Sequence, residues 1–218
     1  MLKAVGLTKQ YGELPVLKGI DIHVKKSEVV SIVGASGAGK STLLHILGTL
    51  DTPDTGKMSI ADTDVFSLSG NELAQYRNQR IGFVFQFHNL LPEFTALENV
   101  CLPGYISGKD KTEVEKRGKE LLKLLNISSR EGHKPSQMSG GEQQRAAVAR
   151  SLVNNPSIVF ADEPSGNLDS KNADELHNLF FKLRDELGQT FVIVTHNSSF
   201  AQMANRMLEI KDGVMVVE

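Results

Sequence analysis

The sequence has almost no cysteine, no long apolar run and no block of like charge, and each absence removes a class of function. The lone cysteine, Cys101, excludes an internal disulfide and reads as a buried small hydrophobe. The six histidines are scattered without the spacing of metal ligands. Nowhere do about 18 apolar residues follow one another, so the chain itself is not expected to cross a bilayer. Its first residues, MLKAVGLTKQYG, lack the charged-then-apolar layout of a secretory signal, and the expectation is a cytosolic chain. Lys+Arg number 24 and Asp+Glu 26, a net charge of -2 with no cluster of one sign, so neither a nucleic-acid patch nor a polybasic membrane anchor is expected. Repeats, low-complexity tracts and linkers are also missing. A chain of 218 residues without them is expected to be one unit, residues 1–218, with a good core and room for a small appended subdomain.

What is present is an alternation of strand and helix signals. GIDIHVK sets Ile20, Ile22 and Val24 against Asp21, His23 and Lys25, the period of a half-buried antiparallel strand. EVVSIVG, SIVFADE and TFVIVTH are short solid apolar runs, as strands buried on both faces of a parallel sheet should be. From Ser170 onward Ala173, Leu176, Leu179, Phe180, Leu183 and Leu187 share one helical face, and Gly188 is placed to end that helix. Between residues 95 and 153 strand-like runs vanish. Capping-box patterns at Thr95/Glu98, Thr112/Glu115 and Ser139/Glu142 instead predict helices there, an insertion that leaves the sheet after IGFVF and returns at SIVF. KDG between RMLEI and VMVV reads as a hairpin turn. The class is α/β.

GASGAGKST follows the buried run Val29 to Val33 and precedes the apolar LLHILG, so it fits a phosphate-binding loop in its strand–loop–helix context. A polyphosphate needs many donors at close range. Gly34, Ala35, Ser36, Gly37, Ala38, Gly39 and Thr42 would present backbone N–H groups, with Gly37 and Gly39 letting them curl inward and the helix N-terminus adding positive charge. Lys40 would reach the β and γ phosphates, and Ser41 offers a hydroxyl to Mg²⁺. Asp162, at the end of SIVFAD, suits a water-mediated contact to the same ion. Glu163, expected to point the other way along the strand, is then free to polarise an attacking water. Gln86 after IGFVF and His196 after TFVIVT stand at strand ends, where ligands gather in open parallel sheets, although either alone is as readily a surface residue.

MSGGEQQR, residues 138–145, poses a different problem. Ser139 and Glu142 are explained by capping, but two glycines in a first helical turn cost about 1 kcal/mol each relative to Ala. A hydroxyl, bare N–H groups and a helix dipole make an anion site at Ser139, Gly140, Gly141 and Glu142. The loop at Gly34 to Thr42 already surrounds this chain's own nucleotide, so the anion at the second site is expected to belong to another molecule.

Over essentially its whole length the sequence resembles the ATPase subunits of ATP-binding-cassette (ABC) transporters. In order, Tyr11 matches the aromatic that stacks on adenine, GASGAGKST the Walker A loop, Gln86 the Q-loop, MSGGEQQR the signature, SIVFADE the Walker B strand, SGNLD the D-loop and His196 the switch histidine. Met138 stands for the usual Leu, Glu142 for the usual Gln, and Ser165 where close relatives often have Thr. The resemblance implies a P-loop NTPase (RecA-like) core with an N-terminal antiparallel β subdomain and an α-helical subdomain inserted over about residues 87–155. It also implies ATP and Mg²⁺ as ligands, and a homodimer paired head to tail with each signature closed over the other copy's ATP. Integral-membrane subunits would be the further partners, the only contact with the membrane, holding the chain at the cytoplasmic face of the inner membrane. FVFQFHNLLPEFTALENV, LLHILGTLDTPDTG and EPSGNLD resemble most closely the lipoprotein-releasing (Lol-type) ATPases, with macrolide-exporter and cell-division ATPases as neighbours. Phe87, Leu90, Leu91, Phe94 and Leu97 form an apolar cluster that either grips a membrane partner's helix or packs the insertion onto the sheet. A chromosome-structuring ATPase is disfavoured, because no heptads or CxxC pairs separate Lys40 from Ser139. A small-molecule kinase would leave MSGGEQQR unexplained, whereas a non-hydrolysing cell-division regulator stays open.

Overall fold

The computed structural model describes residues 1–216. The chain runs β1 (Leu2–Tyr11), β2 (Leu14–Val24), β3 (Val29–Val33), α1 (Lys40–Leu47), β4 (Thr55–Ile60), β5 (Thr63–Asp64), α2 (Gly70–Arg80) and β6 (Ile81–Phe85). There follow α3 (Ala96–Ile106), α4 (Lys111–Leu124), α5 (Gly140–Leu152), β7 (Ile158–Asp162), α6 (Ser170–Leu187), β8 (Phe191–Val194), α7 (Ser198–Met203), β9 (Arg206–Lys211) and β10 (Val214–Val216).

Two sheets result. The larger has the order β10-β9-β3-β8-β7-β6, with β9, β3, β8, β7 and β6 parallel and β10 antiparallel. Its central strands β3, β7 and β8 are buried almost throughout, the reason their sequences are solid apolar runs. The smaller sheet, β2-β1-β4-β5, is antiparallel, and Ile20, Ile22 and Val24 face inward on β2 as the alternation predicts. Asp212 and Gly213, both at positive φ, make the two-residue turn between β9 and β10.

Register explains why function gathers at one edge. Phe85 pairs with Asp162, Asp162 with Val194, and Val194 with Ile32, so β6, β7, β8 and β3 end level with one another. The segments carrying Gln86, Glu163, His196 and Gly34 leave the sheet side by side.

Between β6 and β7 the chain forms α3, α4 and α5 with short 3₁₀ turns and no strand. α3 opens on a capping box, Thr95 with Glu98, and α5 on Ser139 with Glu142. The box expected at Thr112/Glu115 does not form. Asp110 precedes it, and its short carboxylate accepts the N–H groups of Thr112 at 2.9 Å and Glu113 at 3.1 Å, so the helix starts two residues earlier. Glu115 turns instead to Lys111 and the Tyr105 hydroxyl. A further capping box, Ser69 with Glu72, opens α2, a helix not read from the sequence because it buries no residue and has no apolar stripe.

α6 buries Ala173, Leu176, Leu179, Phe180 and Leu183 of the predicted face, but Leu187 in its last turn is exposed, and Gly188 ends the helix at φ 64°. Phe180 on that face is fully buried, edge-on to Phe191 at 5.1 Å and close to Phe200. Phe180→Ala is expected to cost about 3–5 kcal/mol in urea unfolding without changing the slope, through lost burial and the cavity left behind. A loss below about 1 kcal/mol would place this ring outside the core.

Candidate active site

The loop after β3 is shaped by its own packing. Gly39 caps α1 at φ 104°, and a β-carbon there would lie 2.9 Å from Leu17 Cδ2 and 3.1 Å from the Val16 carbonyl oxygen. No side chain caps α1 and no acid sits in its first turn, so the leading N–H groups face the loop concavity free for an anion. Lys40 is 7% exposed, and its ammonium donates to the carbonyls of Gly34 (3.0 Å) and Ala35 (2.9 Å) inside that concavity. Ser36, Gly37, Gly39, Lys40, Ser41 and Thr42 line one cleft with Tyr11, Glu163 and His196, while Ala38 is buried against the core.

Tyr11 ends β1 half exposed, with Lys9 5.1 Å from its ring centroid. Its hydroxyl donates to Asp51 at 2.6 Å, and that hydrogen bond raises the Tyr11 pKa. Asp51 therefore fixes the aromatic, a role its place in LDTPD does not advertise.

The two carboxylates differ in environment. Asp162, the last residue of β7, accepts from Ser41 Oγ at 3.2 Å and has His45 Nε2 at 3.8 Å. The expected strand alternation does not aim Glu163, which is corrected here: β7 ends at Asp162, and Glu163 turns to φ 46°. That left-handed conformation is costly for a residue with a side chain, and it is held by Glu163 N–H donating to Val194 O and Gly166 N–H donating to Glu163 O, both 3.0 Å. Through this turn both carboxylates open onto one cleft, shared with Ser41 and Gln86. Glu163 Oε2 accepts the His196 backbone N–H at 3.2 Å. Its Oε1 is buried and lies 3.3 Å from His196 Nε2 without hydrogen-bond alignment, which leaves it an unsatisfied acceptor. Burial raises the Glu163 pKa above the ordinary carboxylate value.

Gln86 Nε2 donates to Asn167 Oδ1 and Asn167 Nδ2 donates back to Gln86 O, each at 3.1 Å, tying the end of β6 to the segment after β7. No group of three His, Cys, Asp or Glu suited to holding a metal occurs among the described residues. A divalent ion with oxygen ligands fits only sparsely here, with Ser41, Gln86 and Asp162 supplying few groups and water and phosphate the remainder, which is the habit of Mg²⁺.

Ser139, Gly140, Gly141 and Glu142 line neither of these clefts. Ser139 Oγ accepts the Glu142 N–H at 3.3 Å and Glu142 Oε2 accepts the Ser139 N–H at 2.8 Å. The two glycines have different reasons. A β-carbon on Gly141 would lie 2.6 Å from Asn172 Oδ1, so packing of α5 against α6 requires that one. A β-carbon on Gly140 would meet only Leu168 at 3.8 Å, and nothing in its own chain demands glycine.

The model of the ABC transporter family matches residues 17–166. The chain belongs to the ABC transporter family. Over 216 residues, 99% of either chain, it is 60% identical to the lipoprotein-releasing system ATP-binding protein LolD of Cytophaga hutchinsonii. To the protein of that name from Bacteroides thetaiotaomicron it is 54% identical over 215 residues, again 99% of each. Among solved structures, a dimeric ATP-binding cassette in a post-hydrolysis state with ADP and Pi superimposes with TM-score 0.89 at 42% identity, over 100% of this chain and 97% of that one. CbiO1 of Clostridium perfringens, part of an ABC transporter complex, gives TM-score 0.90 at 28% identity over 99% and 86%.

In this ABC cassette α5 also carries residues the sequence did not single out. Arg150 donates to the carbonyls of Asn89 (2.6 Å) and His88 (2.8 Å), and Gln144 donates to Phe85 O at 3.1 Å. The helix that begins at Ser139 thus clamps the segment around Gln86.

Burial of Glu163 gives a pH signature. Its folded pKa is raised, so the associated stability is fully present below the unfolded carboxyl range and is lost as pH rises through the folded value. Glu163→Gln should therefore melt at a higher temperature than the native chain at pH 7, the gain closing toward about pH 4. A lower melting temperature for the variant at pH 7 would show that the charged form is favoured by its surroundings.

Proposed function

We propose that this chain is the ATP-hydrolysing subunit of a lipoprotein-releasing ABC transporter, acting as a homodimer paired head to tail. One observation carries the pairing: Gly140 at the tip of α5 lines neither cleft of its own chain, and a β-carbon there would meet only Leu168, at 3.8 Å. The lipoprotein cargo rests on the two relatives named for lipoprotein release, which align with this chain almost end to end. Residues 1–218 then make a single ATPase domain, with a helical subdomain over about 87–155.

In this reading the loop Gly34–Thr42 binds the phosphates of ATP with its N–H groups, and Lys40 exchanges the carbonyls of Gly34 and Ala35 for phosphate oxygens. Tyr11 stacks on the adenine. Ser41, Gln86 and Asp162 would hold Mg²⁺, which would neutralise charge on the phosphates. Glu163 accepts a proton from the attacking water, and its raised pKa brings it nearer to neutrality, as a general base needs. His196, against that carboxylate, orients it and reaches toward the transferred phosphate. Ser139, Gly140, Gly141 and Glu142 close over the ATP of the other copy, so hydrolysis separates the two chains and turns their opening into a stroke.

The stroke acts on integral-membrane subunits. No helix among the described residues is long and apolar enough to cross a membrane, and the reading places the chain at the cytoplasmic face of the inner membrane, held by its partners. Phe87, Leu91 and Phe94 are exposed, whereas Leu90 and Leu97 pack against the core. The cluster divides between the two roles, and the exposed members are the proposed grip.

Glu163→Gln should retain ATP binding and pairing but lower turnover by roughly 10² to 10⁴, the usual worth of a general base. Undiminished release of phosphate would remove Glu163 from that role. Leu91→Glu should abolish copurification with the membrane subunits and transport, with ATPase activity of the free subunit retained. Parallel loss of folding and activity would make Leu91 a core residue.

A further inference from the structure

Glu142 places a carboxylate in the first turn of the helix whose tip is to receive an anion. A helix N-terminus carries roughly half a positive charge. The carboxylate strengthens the cap through the Ser139 N–H, yet taken alone it would more than cancel the charge that draws phosphate. A second group offsets it. Arg130 Nε donates to Glu142 Oε1 at 2.8 Å, and this hydrogen bond is the largest reason the Glu142 carboxyl titrates below its ordinary range. Both side chains are partly exposed, 37% for Arg130 and 26% for Glu142.

Arg130 is not a loose surface side chain. It ends a 3₁₀ turn, Ser128–Arg130, whose backbone is fixed by Arg130 N–H to Ile127 O and His133 N–H to Arg130 O, both 2.9 Å. The following residues are tied to the start of α3, where Ala96 N–H donates to His133 O at 2.8 Å and Leu97 N–H to Glu131 O at 3.1 Å. The guanidinium is therefore held over the capping box from outside α5.

We propose that Arg130 is a positioning residue for ATP turnover, pairing with Glu142 so that the Ser139–Gly141 tip presents a net attractive field to the phosphates of the opposing copy's ATP. The inference rests on the head-to-tail reading above. A purely structural ion pair would make loss of either partner equally harmful. Charge compensation instead predicts opposite effects, since losing Arg130 leaves a bare anion beside the phosphate and losing the Glu142 charge leaves a bare cation.

The test is steady-state ATPase activity of the full-length chain, with thermal melting of each variant as the check on folding. Arg130→Met should raise the half-saturating ATP concentration about tenfold at about 20 mM salt, the gap narrowing to about twofold near 0.5 M as the charge is screened. Glu142→Gln should lower that concentration, and the double variant should return to within about twofold of the native value. If Arg130→Met fails to fold, the direction of the shift in Glu142→Gln decides. Shifts of the two single variants in the same direction, or a double variant no better than Arg130→Met, would overturn the proposal. Turnover per chain that stays constant on dilution would remove the head-to-tail reading itself, whereas dilution-dependent turnover with same-direction shifts would remove only the role of Arg130.

Discussion

The level ending of four parallel strands is the constraint from which the site follows. Backbone ladders pair Phe85 with Asp162, Asp162 with Val194 and Val194 with Ile32, and no side chain at the edge has a say in that register. Three side chains of the site are then hung one or two residues beyond the ladder, and Asp162 is its last residue. Gln86, Glu163 and His196 come from three different crossovers, yet their spacing is fixed by ladder hydrogen bonds that are buried and collectively hard to shift. The loop from Gly34 joins them because β3 lies beside β8 in the same sheet.

On this rigid edge the chain spends stability at one position. Glu163 combines a left-handed backbone, a buried carboxylate and an oxygen without a hydrogen-bond partner. Each is unfavourable for folding, and together they are what the proposed role of Glu163 as proton acceptor would require. Asp162, one residue earlier and still in the strand, is paired with Ser41 and keeps its ordinary geometry. Neighbouring acids thus acquire different characters from the point at which the strand stops.

Much of this was legible in the sequence where a residue's reason is local. Solid apolar runs gave the buried strands, five of the six apolar positions read on α6 are buried and Gly188 ends that helix, and the loop motif marked the turn that lines the cleft before α1. Legibility failed where the reason lies across space. Asp110 takes the cap expected at Thr112, its carboxylate accepting the Thr112 and Glu113 N–H groups, and α2 has no apolar stripe to read. The turn at Glu163 depends on Val194 O, far away in sequence. Of the two signature glycines, Gly141 proved to be an internal packing requirement set by Asn172, and only Gly140 is left facing outward. Asp51, Asn167, Arg130 and Arg150 act by holding other residues, and no spacing rule marks such supports.

In the proposed dimer each chain carries halves of two composite pockets, the phosphate loop of one copy working with the α5 tip of another. Complementation tests it most directly. A Lys40→Ala chain and a Ser139→Arg chain, each inactive alone, are mixed in equal amounts and ATP turnover is measured. If the pockets are shared between chains, each mixed dimer holds one intact pocket, and activity should recover to about a quarter of the native value for independently acting sites. No recovery, with mixed dimers shown to be present, would mean that loop and tip serve the same nucleotide within one chain, and the account would be wrong.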